Sequence, residues 1–183
     1  MNELIKSDLY RYNKENSILK GIISYPGFSY MFFFRKANEY KHIKIIALFF
    51  RFILRRLRYK YGFQIPLAVT IGHGFYIGHF GTVVINKGTK IGNNCNIAHN
   101  VTIGQTNRGK LKGYPSIGDK VWIGTGSIIV GGVNIGNDVL IAPNTYVNTD
   151  VPSNSIVIGN PAKIISRPEA TLDYINNIYL SEN

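Results

Sequence analysis

An aliphatic residue recurs at every sixth position through the C-terminal two thirds of the chain, usually followed by glycine or another small residue. Two extra residues lie between Ile77 and Ile85, and a longer insertion follows Ile103. Hexapeptide periodicity is typical of a parallel β-helix, in which each hexad forms one short strand and a turn. The thirteen periodic positions are Ile65, Ile71, Ile77, Ile85, Ile91, Ile97, Ile103, Ile117, Ile123, Ile129, Ile135, Ile141 and Val147.

The fifth place of each hexad is mostly small or β-branched, which favours first and fifth places that both point into a narrow core. Three hexads make one triangular coil, so that residues about eighteen apart stack at the strand spacing of roughly 4.8 Å. These fifth-place residues are Val69, Thr89, Cys95, Val101, Val121, Ser127, Val133, Val139, Thr145 and Val151. The single cysteine, Cys95, is therefore expected to fill the core rather than act as a nucleophile.

Two histidines occupy equivalent places in the repeat. His79 and His99 are each the third residue of a hexad, and their separation of twenty residues equals one coil plus the two inserted residues. We expect both side chains to face solvent from one corner on successive coils, with Thr125 following one coil later. Imidazole accepts a proton near neutral pH, which suits a general base. His73 falls on a different face, so the histidines do not predict a metal site.

Residues 1–62 lack the hexad period and are predicted to be a basic helical segment. They carry thirteen Lys and Arg against four acids, which is +9 of the net charge of +11. The expected helices are Glu3–Tyr12, Ser17–Ser24 and, after a break at Tyr25-Pro26-Gly27, about His42–Tyr59. No secretory signal is visible at the N-terminus, and the lone cysteine suits a reducing compartment, so we expect a cytoplasmic protein.

The helix from His42 to Tyr59 is amphipathic and too short in apolar run to span a membrane. Either it lies on an anionic membrane, which predicts peripheral contact at the inner membrane face, or its apolar face packs on the β-helix or another subunit. Nucleic acid is not expected, because no recognised motif accompanies the charge. The apolar face contains Ile43, Ile46, Ala47, Phe50, Leu54 and Leu57, and the basic face contains Lys44, Arg51, Arg55 and Arg58.

The β-helix is predicted to occupy residues 63–168, with a loop at 105–116 and a terminal helix at 169–183. Eight residues more than the period requires separate Ile103 from Ile117. A long loop leaving a regular solenoid is usually functional or disordered, and we expect a functional loop here. The terminal helix is expected to dock through Leu172, Ile175 and Ile178.

The hexads, the segment from Ile77 to Val84, the loop after Gly104 and the ending Gly159-Asn160-Pro161-Ala162-Lys163 resemble the hexapeptide acyltransferases, in particular their serine-acetyltransferase-like branch. The resemblance implies a left-handed parallel β-helix. It also implies a homotrimer with active sites between subunits, or a hexamer assembled through the N-terminal helices. Members transfer acetyl from acetyl-CoA to a hydroxyl. His79 matches the family's catalytic histidine, and CoA is expected near Gly124, Ala142 and Lys163.

Two departures from that branch favour a sugar acceptor over serine. Gln64 stands fifteen residues before His79, where the family has an aspartate, and Gly113-Tyr114 replaces an arginine-histidine pair. An amide and a phenol suit a neutral hydroxyl, whereas the charged ends of serine need charged partners. Gln64 and Tyr114 are therefore expected to contact substrate, and His99 to position it.

We accordingly expect an O-acetyltransferase that acetylates a carbohydrate, such as a capsule or O-antigen polysaccharide or its lipid-linked precursor, with acetyl-CoA as donor and no metal. Two alternatives stay open at this point. One is a serine O-acetyltransferase, and the other is a non-catalytic trimeric scaffold whose basic helices bind membrane or polyanion.

Overall fold

The computed structural model describes residues 2–180, which form four helices and fifteen short strands. The helices are α1 (Glu3–Tyr10), α2 (Ile18–Ser24), α3 (Pro26–Glu39) and α4 (Lys44–Tyr61). The strands are β1 (Phe63–Gln64), β2 (Thr70–Ile71), β3 (Tyr76–Ile77), β4 (Val83–Ile85), β5 (Lys90–Ile91), β6 (Asn96–Ile97), β7 (Val101–Gly104), β8 (Ser116–Ile117), β9 (Val121–Ile123), β10 (Ile128–Val130), β11 (Asn134–Ile135), β12 (Val139–Ile141), β13 (Tyr146–Val147), β14 (Ser155–Ile158) and β15 (Lys163–Ser166).

The strands form the three faces of a triangular prism. One face has the order β1-β4-β7-β10-β13, the second β2-β5-β8-β11, and the third β3-β6-β9-β12-β14. Every pairing within these faces is parallel and joins strands of successive coils, while β15 adds to β14 in the antiparallel sense. The predicted left-handed parallel β-helix is confirmed.

The core consists of the residues that the hexad rule places inside. All thirteen periodic aliphatic residues and all ten fifth-place residues are buried. Cys95 donates its thiol to the carbonyl of Gly118 at 3.1 Å, and burial raises the pKa of this thiol to about 12. A thiol that remains protonated in the core is a packing residue, as the sequence predicted.

A ladder of side-chain hydrogen bonds supports one corner of the prism. The backbone N–H of His73 donates to the Asn93 side chain at 2.9 Å, and that of Asn93 donates to Asp119 at 2.7 Å. The ladder continues through Asn137 to Ser153. His73 is thus the first rung of a structural corner, which lies one face away from His79.

The helical segment is anchored on the first coil through buried polar groups. The Arg35 guanidinium donates to the Asp8 carboxylate at 2.9 and 3.2 Å and to the carbonyls of Ile71 and Gly72 at 2.6 Å. Arg11 donates to the Gly74 carbonyl and the Asn96 side chain, each at 2.6 Å. Two of the cations counted in the basic segment are therefore structural. Pro26 does not end the helical segment but begins α3, because a proline is well tolerated in the first helical turn.

The prediction of a C-terminal helix is wrong for residues 169–180, which form turns and irregular chain. Residues 181–183 lie outside the described residues. Backbone groups that a helix would pair internally bind side chains of the β-helix instead. Asp138 accepts the N–H groups of Ala170 and Thr171 at 3.0 and 3.1 Å, and the Tyr179 N–H donates to Asn94 at 2.9 Å. Of the three residues expected to dock, only Ile175 is buried.

The terminal segment also covers an aromatic residue on the third face. Tyr174 packs edge-on against Trp122, with 5.0 Å between the ring centroids. Asp138 holds this segment at its start. Burial raises the pKa of the Asp138 carboxyl, but the hydrogen bonds from Thr171 and Ala170 outweigh burial and leave this pKa below its ordinary value.

Candidate active site

The two histidines that the repeat placed on one corner are in contact. Their ring centroids are 5.8 Å apart and the rings are perpendicular. The register that pairs Ile77 with Ile97 and Ile97 with Ile123 stacks His79, His99 and Thr125 on successive coils. His79 is exposed at the surface of the chain, and His99 is half-buried beneath it. An exposed imidazole supported from below by a second ring is well placed to meet a bound substrate.

The two-residue insertion before Ile85 brings the backbone close to His99. Gly81 has φ +134°, and a Cβ at this position would lie 3.1 Å from the Cβ of His99. The Gly81 N–H donates to the carbonyl of Tyr61 at 2.9 Å, which ties the insertion to the end of α4. A side chain at residue 81 would therefore push against His99 and strain the backbone.

No acidic residue orients His79 within residues 2–180. The His79 ring forms no hydrogen bond with these residues, and the Nδ1 atom of His99 is buried without a partner among them. Gln64 lies on β1, exposed, in register with Val84. The structure therefore does not place a hydrogen bond between Gln64 and His79 in a single chain.

His79 borders two cavities. The larger, of about 380 Å³, lies between the first coil and the N-terminal segment, where Tyr12, Asn13 and Tyr25 contribute to its lining. The smaller, of about 170 Å³, extends along the third face past Asn96 to Trp122. Burial raises the pKa of Tyr12 well above its ordinary value, and its hydroxyl donates a hydrogen bond to the Ile77 carbonyl. Tyr12 therefore lines the cavity as an uncharged side chain held in one position.

The residues expected near CoA lie in one row beside the histidines. The strand registers align Gly78, Ala98, Gly124, Ala142, Ile158 and finally Lys163. This row is five strand steps long, or about 24 Å. A Cβ at residue 124 would approach the Pro143 nitrogen to 2.6 Å, so Gly124 is required for coil stacking. The first four positions of the row carry only glycine or alanine. Ile158, which is 47% exposed, then separates them from the exposed Lys163 at the far end.

Tyr114 is not brought to His79 within one chain. The 105–116 loop leaves a different corner and folds back as a hairpin, with Thr106 and Gly113 exchanging hydrogen bonds of 3.1 and 3.0 Å. The Tyr114 ring lies on Gly88, in the turn between β4 and β5. Local sequence contains no signal for this contact, because the destination of a loop depends on contacts with residues distant in the chain.

Three residues that the sequence analysis did not assign to the site flank His79 on the third face. Tyr76, Asn96 and Trp122 each precede a periodic isoleucine, and strand register stacks them beside the histidine corner. Counting the sixth place of each hexad in the same way as the third would have found them.

Comparison with known proteins identifies the family. Residues 114–149 match the family described as bacterial transferase hexapeptide (six repeats). Serine acetyltransferase of Helicobacter pylori is 33% identical over 146 residues, which cover 80% of this chain and 85% of that protein. The Bacillus pumilus enzyme of the same name is 32% identical over 149 residues, 81% of this chain and 68% of that protein.

The chain belongs to the serine acetyltransferase family.

Solved structures agree. Serine acetyltransferase of Neisseria gonorrhoeae superposes with a TM-score of 0.74 at 27% identity, covering 91% of this chain and 66% of that one. The Brucella abortus enzyme in complex with coenzyme A gives 0.73 at 26% identity, covering 90% and 67%. This family member thus spans about two thirds of the length of these structures. It is an acetyl-CoA-dependent acyltransferase.

The expectation of a sugar acceptor is wrong. Relatives that cover most of this acetyltransferase are serine acetyltransferases, which favours the serine alternative over a capsule or O-antigen role. That expectation depended on only two aligned positions, Gln64 and Gly113-Tyr114. Charged partners for a small substrate are not confined to those positions in a folded protein.

We predict that His99→Ala lowers kcat of the acetyltransferase about tenfold and leaves KM for acetyl-CoA unchanged. An edge-to-face aromatic contact contributes roughly 0.5–1.5 kcal/mol, and its loss frees the His79 ring from its orientation. His99→Phe keeps the ring and is expected to restore most of kcat. Steady-state kinetics of the three proteins checks this, and equal kcat for His99→Ala and wild type would contradict a positioning role.

Proposed function

We propose that this enzyme is a serine O-acetyltransferase, transferring acetyl from acetyl-CoA to the hydroxyl of L-serine with His79 as general base. The observation that carries the proposal is the exposed His79 supported by His99 at 5.8 Å, at the head of a row of small residues, in a chain of this family. Membership of this family indicates acetyl-CoA as the acetyl donor, and His79 is a base exposed at the surface.

The proton and the acyl group follow one path. His79 takes the proton of the serine hydroxyl as that oxygen attacks the thioester carbonyl, forming a tetrahedral oxyanion. The oxyanion collapses, the C–S bond breaks, and the imidazolium returns its proton to the CoA sulfur. Backbone N–H groups at the coil edge are suited to hold the oxyanion, because fixed dipoles stabilise charge that develops in the transition state.

The row that ends at Lys163 supports a CoA site. When bound there, acetyl-CoA supplies the activated acetyl group. Gly124 and Ala142 present little side chain, so that an extended ligand can lie close to the backbone. Lys163 is exposed at the far end, where an ammonium group suits a phosphate.

A homotrimer accounts for the separation between Tyr114 and His79. In one chain they occupy different corners, so the 105–116 loop contacts His79 only when it comes from a neighbouring copy. Gln64, exposed on β1, is then available to the substrate or to that loop. The Gln64 amide and the Tyr114 phenol can each donate or accept a hydrogen bond, so both side chains are suited to bind the acceptor.

The decisive measurement is release of CoA from acetyl-CoA in the presence of different acceptors. We expect saturable release with L-serine, with O-acetylserine identified by mass spectrometry. L-Alanine, which lacks only the hydroxyl, serves as the matched control and is expected to give the background rate of hydrolysis. Background release with L-serine across a wide range of concentration would contradict the proposal.

A further inference from the structure

Helix α4 has an apolar surface that no other described residue covers. The inward face packs normally, with Ala47 and Leu54 buried and the Phe50 ring stacked on Tyr40 at 5.7 Å. The outward face nevertheless carries large apolar side chains. Those with the greatest exposure are Ile45 at 85%, Leu48 at 70%, Phe49 at 59% and Phe52 at 58%.

These four residues share one side of the helix. Their positions follow the i, i+3, i+4, i+7 spacing of a single helical stripe. The sequence assigned the apolar face to Ile43, Ile46 and their neighbours, but both of these are exposed, and the stripe from Ile45 to Phe52 faces away from the protein. Four large apolar groups on one exposed stripe are more than scattered surface residues and indicate a binding surface.

The segment that carries this stripe is strongly cationic. Between Tyr40 and Gly62 the sequence contains seven Lys and Arg and no acid. None of these cations pairs with a carboxylate of residues 2–180. The Arg56 guanidinium lies over the Phe52 ring at 5.2 Å, which places a charge beside the apolar stripe.

The charge selects the partner. Two copies of this helix in contact would bring twelve positive charges together, twice the six that α4 carries, without a single acid, and like charges across an interface are costly. A polyanion such as nucleic acid would satisfy the cations but leave the apolar stripe in water. An anionic lipid bilayer satisfies both, because the apolar stripe enters the acyl boundary while Lys and Arg side chains reach the headgroups.

We propose that the outward face of α4 docks this enzyme onto anionic membrane surfaces. The helix lies flat on the bilayer; none of the helices in residues 2–180 is long and apolar enough to cross it. The inward face of α4 stays packed, so the first coil and the His79 corner are carried intact to the surface. This docking is independent of which hydroxyl the enzyme acetylates.

The test is co-sedimentation of the full chain with vesicles of phosphatidylcholine alone or with about 30% phosphatidylserine. Phosphatidylserine is anionic and gives the vesicle surface a negative potential. We expect binding to the anionic vesicles only. Raising salt from about 0.1 M to 1 M shortens the Debye length from about 10 to 3 Å and is expected to weaken binding. Absence of binding to anionic vesicles at low salt would overturn the proposal.

Paired variants assign binding to α4. Leu48→Ser/Phe52→Ser and Arg51→Gln/Arg55→Gln are each expected to lower vesicle affinity about tenfold or more. The first variant removes apolar side chains that enter the bilayer, and the second removes two cations, each of which contributes roughly a fivefold change near the surface. The matched controls are Leu19→Ser/Ile23→Ser, at 70% and 75% exposure on α2, and Lys87→Gln/Lys90→Gln on the β-helix. Equal binding by wild type and both α4 variants would exclude this face. A molar mass that falls in the Leu48→Ser/Phe52→Ser variant would show that a second copy covers the face.

Discussion

Replacing His79 by alanine is expected to lower kcat by about 10²–10⁴, the usual contribution of a general base. The hydroxyl of the acceptor then has no positioned group to receive its proton as it attacks the thioester. His79 is exposed and its ring makes no hydrogen bond within residues 2–180, so its removal is expected to leave the coil and the row from Gly78 to Lys163 unchanged. The measurement is steady-state acetyl transfer, accompanied by a dissociation constant for CoA that stays at the wild-type value.

His42→Ala is the matched control, because His42 is also exposed but lies in the turn before α4. It is expected to keep the wild-type kcat. If His79→Ala also kept the wild-type kcat, His79 would not be the general base. That result would support a non-catalytic role for His79 and His99.

Replacing Asp8 by asparagine is expected to destabilise the protein by about 3–5 kcal/mol, the cost of leaving a buried charge without its partner. The Asp8 and Arg35 side chains are 1% and 5% exposed and meet in a bidentate pair. Burial raises the pKa of Asp8, whereas the Arg35 guanidinium and the Phe75 N–H lower it. Without the carboxylate, Arg35 keeps its carbonyl partners but loses its counter-charge.

Urea unfolding at fixed protein concentration checks this result. The matched control is Glu39→Gln, which breaks the exposed Lys36–Glu39 pair of 3.1 Å and is expected to cost at most about 1 kcal/mol. A double variant, Asp8→Asn/Arg35→Met, removes both charges and is expected to be less destabilised than the sum of the single variants. An Asp8→Asn protein within about 1 kcal/mol of wild type, a value typical of surface pairs, would show that the buried Asp8–Arg35 pair is not needed for stability.

Not all of the Lys and Arg side chains in this chain are at the surface, because Arg11 and Arg35 are buried. Arg11 and Arg35 bind backbone carbonyls of the first coil, at Gly74, Ile71 and Gly72. These bonds fix the helical segment to the first coil. The seven cations around α4 are a different population, exposed and without acids.

The hexad period by itself determined the β-helix, its register and the contact between His79 and His99. Inward positions of a solenoid recur at a fixed interval, so a single local rule fixes both the burial of Ile77 or Ile97 and the corner that a third-place residue occupies. No long-range information is needed for any of these assignments.

Only the tertiary structure decided the features that depend on contacts between distant parts of the chain. The 169–180 segment has apolar residues at helical spacing, yet side chains of Asn94 and Asp138 capture its backbone and hold it in turns. The inward side of α4 was set by its packing on α3 and the first coil, which left Ile45 and Phe52 outside. Tyr114 was directed to Gly88 by the fold of its loop. Local pattern cannot specify such outcomes, because each results from competition among partners that the sequence does not place next to one another.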